Sequence, residues 1–124
     1  MREIKFRAYN KDWEMILPVK AVINNGDWLS VIAINKTTDG IEHEEWQDCE
    51  VGNEIEIMQY TDLKDKNGKE IYEGDIVRNL YEVYPVVFES GMFCINDLET
   101  PIWKMNTKDY WEVIGNIYEN KDLL

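Results

Sequence analysis

Turn-forming residues interrupt this chain so often that no long helix has room to form. Asn24-Asn25-Gly26-Asp27, Thr37-Thr38-Asp39-Gly40, Asp65-Lys66-Asn67-Gly68, Glu73-Gly74-Asp75 and Glu89-Ser90-Gly91 each break the sequence after a short run. Asn and Gly accept positive φ with little strain, so an Asn-Gly pair between two apolar runs marks a hairpin tip. The intervening runs have strand character. Ile4, Phe6 and Ala8 alternate with Lys5 and Arg7, and Ile55 and Ile57 alternate with Glu54 and Glu56. A period of two places one set on a buried face. Five Trp and seven Tyr favour pleated, half-buried surfaces. Short strands punctuated this regularly predict an all-β fold, a small barrel or sandwich.

Several local expectations follow. Residues 13–17 should form a strand that stops before Pro18, with residues 19–23 and 28–34 flanking the Asn25-Gly26 turn. Residues 42–50 read either as a short helix or as an irregular loop with Trp46 packed inward. Asn67-Gly68 should sit at a hairpin tip, and residues 85–88 and 92–95 should form a hairpin around Ser90-Gly91. The last strand should cover residues 111–118, with Gly115 at a bulge or a close backbone approach.

The chain has 124 residues, room for one ordinary domain or two very small ones sharing a core. No segment approaches the roughly 20 apolar residues needed to cross a bilayer. The opening Met1-Arg2-Glu3-Ile4-Lys5-Phe6-Arg7 alternates charged with apolar residues, unlike the continuous apolar core of a signal peptide. The expectation is a cytoplasmic protein, with Cys49 and Cys94 as thiols, although spacing alone leaves a bridge between them open.

Net charge is −12 and unevenly spread. Residues 1–36 are net +2, residues 37–63 carry nine acids and no Lys or Arg, and residues 64–124 are net −5. Such a field repels phosphate backbones and anionic lipid surfaces, so neither nucleic acid nor membrane is an expected partner.

Residues 58–77, Met-Gln-Tyr-Thr-Asp-Leu-Lys-Asp-Lys-Asn-Gly-Lys-Glu-Ile-Tyr-Glu-Gly-Asp-Ile-Val, closely resemble the central block of the phage YopX family. Met1-Arg2-Glu3-Ile4-Lys5-Phe6-Arg7-Ala8-Tyr9 is similar to that family's opening, and Val113-Ile114-Gly115-Asn116-Ile117-Tyr118-Glu119-Asn120 to its closing segment. The three blocks occur in order and span nearly the whole chain. Asp62 departs from the pattern, because family members commonly have Gly there; Asp tolerates the left-handed backbone better than most residues. Residues 10–57 vary within the family and carry no detail across. The resemblance implies a phage or prophage origin and a mainly β structure. It divides the chain into a variable β-rich portion, residues 1–60, and an SH3-like β-roll, residues 61–124, separate or as one compact unit. The roll should begin near Gly74-Asp75-Ile76-Val77. The resemblance also raises the expectation of self-assembly. It implies no activity and carries over no catalytic residue, since no biochemical function is established for the family.

No constellation of residues points to chemistry. His43-Glu44 lacks the second histidine of a zinc-protease motif, with Gln at position 47, and His43, Cys49 and Cys94 are too scattered to suggest a zinc site. Asp62, Asp65 and Asn67 before Gly68 superficially resemble a calcium loop, but the closing Glu and flanking helices are missing. Neither Ser30 nor Ser90 lies in a nucleophile elbow. Asp75 is expected to hydrogen-bond its own turn, and the Trp and Tyr rings to fill the core. The expected catalytic, cofactor-binding and metal sets are therefore empty.

Three function classes remain. The first is a non-enzymatic accessory protein that binds a host or phage protein or forms a homo-oligomer, with residues 85–88 and 92–95 supplying contact. The second is a nucleic-acid mimic built on the acidic segment 37–63. The third is an enzyme with an unfamiliar carboxylate site.

Overall fold

The computed structural model describes residues 3–26, 28–36, 40–49, 55–95 and 100–124, except the side chains of residues 45–49 and 100. Asn-Gly and Ser-Gly turns behave as their dihedral freedom allows. Gly68 has φ of 80° at the tip between its flanking strands, and Ser90 and Gly91 have φ of 53° and 77°. Two successive positive values match the right-handed twist of a hairpin's strands. The chain forms two compact units, Lys5–Met58 and Gln59–Leu124, the latter joined by the first few residues.

The first unit contains β1 (Phe6–Asn10), β2 (Met15–Asn24), β3 (Leu29–Lys36), β4 (Glu42–Cys49) and the start of β5 (Ile55–Lys64). Its strand order is β4-β3-β2-β1-β5. Asn10 closes the first turn by accepting the N–H groups of Asp12 and Trp13 on Oδ1. Two expectations are corrected here. The strand that was to stop before Pro18 runs on through it, as one ten-residue strand. Pro18 faces Arg7 of β1, while the β2–β3 register starts only at Val19, so the missing N–H disturbs no pairing with β3. Residues 42–49 form neither helix nor irregular loop but a strand paired to β3 from Lys36↔Glu42 to Leu29↔Cys49. Charged side chains hide the strand from a hydrophobic pattern, yet charge is what an edge strand requires. Ala8, Val31 and Ile55 form the buried cluster, with Val19, Leu29 and Ile57 packed against it.

β5 changes phase as it leaves this unit: Ile55 is buried, Ile57 only half-buried, and Met58 and Tyr60 are buried again. The second unit then holds the rest of β5, β6 (Glu70–Tyr72), β7 (Asp75–Arg78), β8 (Val83–Glu89), β9 (Met92–Ile95), β10 (Thr100–Pro101) and β11 (Glu112–Asn116). A 3-10 turn, Ile102–Lys104, and the one-turn helix α1, Thr107–Tyr110, lead into β11. β6 pairs with β5, and a second sheet has the order β10-β9-β8-β7-β11. Its core unites Ile71, Val77, Val86, Ile95, Ile102, Trp111 and Val113. Burying an Ile or Val side chain contributes about 1.5–3 kcal/mol, so this cluster is the unit's main source of stability.

The fold is all-β, as the turn punctuation predicts. The closed barrel is not formed: among the described residues β11 ends the sheet beside β7, and two-residue β10 ends it beside β9. A two-residue strand at one end offers little backbone for a closing ladder.

Candidate functional site

The two buried carboxylates described in the second unit serve its backbone. Asp65 is 2% exposed. Its Oδ1 accepts the N–H groups of Asn67 and Lys69, and its Oδ2 that of Val113 at 2.9 Å. Both oxygens thus hold the hairpin turn and β11, and Asp62, the first residue of the calcium-loop pattern, is exposed. Asp75 is 1% exposed and accepts the Tyr72 N–H at 2.7 Å, the turn role expected of it.

Asn116 organises the chain end in the same manner. Its Oδ1 accepts the N–H groups of Tyr118 and Glu119, while Asn120 Oδ1 accepts the N–H of Asn116. A Cβ at Gly115 would lie 2.5 Å from Asn120 Oδ1, and the β11–β7 register slips between Val113 and Gly115. Both the bulge and the close approach expected at Gly115 are present. The Gly-Asn-Ile-Tyr-Glu-Asn block is a structural clasp.

Asp62 has φ of 68° where β5 slips register against β6 between Tyr60 and Lys64. The left-handed turn that Gly would favour is retained with Asp in its place.

The acidic middle of the chain lies beside the basic start. In the first unit Lys20 pairs with Glu44, Lys36 with Glu42 at 3.9 Å, and Lys11 with Glu56 at 3.3 Å. The uneven charge of the sequence is thus partly cancelled across neighbouring strands. His43 is exposed on β4, Cys94 is buried on β9, and the side chain of Cys49 lies outside the described residues. Among the described residues no three His, Cys, Asp or Glu side chains converge as a metal-binding group. No described helix is long and apolar enough to cross a membrane.

The aromatic residues depart most from expectation. Trp111 and Tyr60 are buried, but Trp13, Trp28, Trp103, Tyr81 and Tyr110 are exposed. Trp103 follows buried Ile102 in the 3-10 turn, and consecutive residues there cannot both face the core. Trp103 instead borders a cleft of about 450 Å³ in the second unit. Phe88 from the end of β8 and Phe93 from β9 meet edge to face there, with ring centroids 5.0 Å apart. Phe88 is 50% exposed and Trp103 66%. Met92, Leu63 and Ile102 line the cleft further, and among the described residues Asp62 is the only ionisable side chain on it. A second hollow of about 520 Å³ covers the Asp65–Gly68 turn, but three lysines and three aspartates mix in its lining, so it carries no dominant charge. Sequence reasoning missed the cleft. The only signal was the unbroken apolar character of residues 85–88 and 92–95.

Comparison with known proteins covers the chain end to end. The crystal structure of protein EF1440 from Enterococcus faecalis is similar, with a TM-score of 0.69 and 28% identity over 100% of this chain and 99% of that one. No curated protein matches the sequence. The sequence profile of the YopX protein family matches residues 5–124. Together with the opening, central and closing blocks, this match places the chain in the YopX family.

Proposed function

We propose that this chain is a non-enzymatic protein-binding module, an accessory protein of phage or prophage origin acting in the host cytoplasm. The observation that carries the binding role is the cleft: an apolar, aromatic-walled hollow with a single carboxylate among its described residues and half-exposed rings. Apolar surface left open by a folded chain is characteristic of a contact site. Reaction chemistry of the paired-carboxylate kind gains less support, because it needs two carboxyl groups within reach of one substrate. Among the described residues the cleft offers only Asp62, and the buried Asp65 and Asp75 bond to backbone. The phage origin rests on the family resemblance.

Affinity capture from infected host cells, with wild-type and Trp103→Ala baits, tests the reading. A protein retained by the wild type and lost with the variant is expected. Identical retention by both baits would overturn the cleft as the contact surface.

Self-association is a second reading, favoured by the turn between β7 and β8. Leu80 and Tyr81 are 92% and 90% exposed there. The turn is held by Asn79, whose Oδ1 accepts the N–H groups of Tyr81 and Glu82 and whose N–H donates to Glu82 O. Light scattering at micromolar concentration decides: a homo-oligomer mass that falls to the protomer in a Leu80→Ser/Tyr81→Ser variant supports it, and a wild-type protomer mass ends it. The nucleic-acid mimic gains less, since Lys20 and Lys36 already answer Glu44 and Glu42 along the acidic edge.

A further inference from the structure

The rings and the carboxylate of the cleft select for a particular chemistry. An aromatic ring is negative on its faces and positive at its edge, so an exposed face attracts a cation. An edge-to-face pair covers only one ring face of the two residues, and Phe88 keeps half its surface in solvent. Trp103 already holds one cation of its own chain, with Lys104 Nζ 5.2 Å from the ring centroid. Asp62 adds a full negative charge at the same cleft, no Lys or Arg is among its described lining residues although Lys104 sits against Trp103, and the chain as a whole carries −12.

We infer that the cleft is a receptor for an arginine side chain projecting from a partner protein. The guanidinium fits better than an ammonium for two reasons. It is planar and weakly hydrated, so it stacks on a ring at small desolvation cost, and its fork can present two N–H donors to one carboxylate. Phe88 and Trp103 would contact the guanidinium plane, Asp62 would accept its N–H groups, and Met92 and Leu63 would cover the arginine's methylene stem. A free carboxylate partner or phosphate is disfavoured by the same charges. The inference rests on the protein-binding reading only in taking the cation to be a protein side chain.

The test uses the full chain and two acetylated, amidated tripeptides, Leu-Arg-Leu and Leu-citrulline-Leu, followed by NMR. Citrulline keeps the shape of arginine and loses its charge. The arginine peptide should shift the Trp103 indole and Phe88 ring resonances saturably, and the citrulline peptide should bind about fivefold or more weakly, as one cation–π contact predicts. Asp62→Asn, which keeps a residue tolerant of positive φ, should weaken the arginine peptide and leave the citrulline peptide unchanged. Equal binding of the two peptides would make the cleft merely apolar and overturn the inference. So would the lack of any saturable shift at concentrations on the order of 10 mM. The peptide result is separable from cell capture: arginine binding without a Trp103-dependent partner sinks the protein-binding reading alone, and the reverse sinks only the arginine assignment.

Discussion

The carboxylate of Asp65 accepts the backbone N–H of Val113 at 2.9 Å, across 48 residues of sequence. The same carboxylate holds the Asn67-Gly68 turn through the N–H groups of Asn67 and Lys69, while Lys66 N–H donates to Trp111 O. A local turn and the final strand are therefore clamped by one buried side chain.

Asp65→Ala should be among the most damaging single substitutions in the second unit. It strands the buried Val113 N–H and removes the acceptor of two part-buried turn N–H groups. An abandoned buried donor costs about 1–3 kcal/mol and the two turn bonds add to it, so a loss of about 2 kcal/mol or more is expected. Urea unfolding would show it as a lower midpoint at unchanged slope.

Asp62 and Gly68 should respond oppositely to substitution, although both have positive φ, 68° and 80°. Asp62→Gly removes left-handed strain and should stabilise by about 0.5 kcal/mol after the added entropy of the unfolded chain. Gly68→Val introduces a β-branched residue where φ is positive and should cost about 1 kcal/mol or more. Paired denaturation curves check both signs.

Gly115→Ala should destabilise by about 1–2 kcal/mol, because its Cβ would sit 2.5 Å from Asn120 Oδ1 and 2.9 Å from Asn120 Cβ. Moving Asn120 aside also breaks its bond from the Asn116 N–H. Asn120→Gly relieves the clash, so the double variant should lose less than the sum of the two single losses. A double-mutant cycle measures that coupling; strict additivity would show that the close approach is not the cause.

Prolonged dialysis against a chelator should leave the melting temperature unchanged, since the described residues hold no converging group of three metal-binding side chains. A drop of several degrees would reveal a metal contribution to folding.

The sequence by itself determined the turns and, through them, the all-β class. Asn25-Gly26, Asn67-Gly68 and Ser90-Gly91 act through the steric freedom of two adjacent residues, so their conformation needs no distant partner. Gly115 was equally legible, as a lone glycine inside a strand pattern. Tertiary structure decided what depends on pairing. Glu42–Cys49 becomes a strand only because β3 supplies a complete ladder, and β2 continues through Pro18 only because that position faces β1 alone. The function of Asp65 was invisible for the same reason: the N–H it accepts lies on a strand that arrives late in the chain. The cleft likewise joins Asp62, Phe88 and Trp103 from three separate segments, and no local preference encodes that meeting.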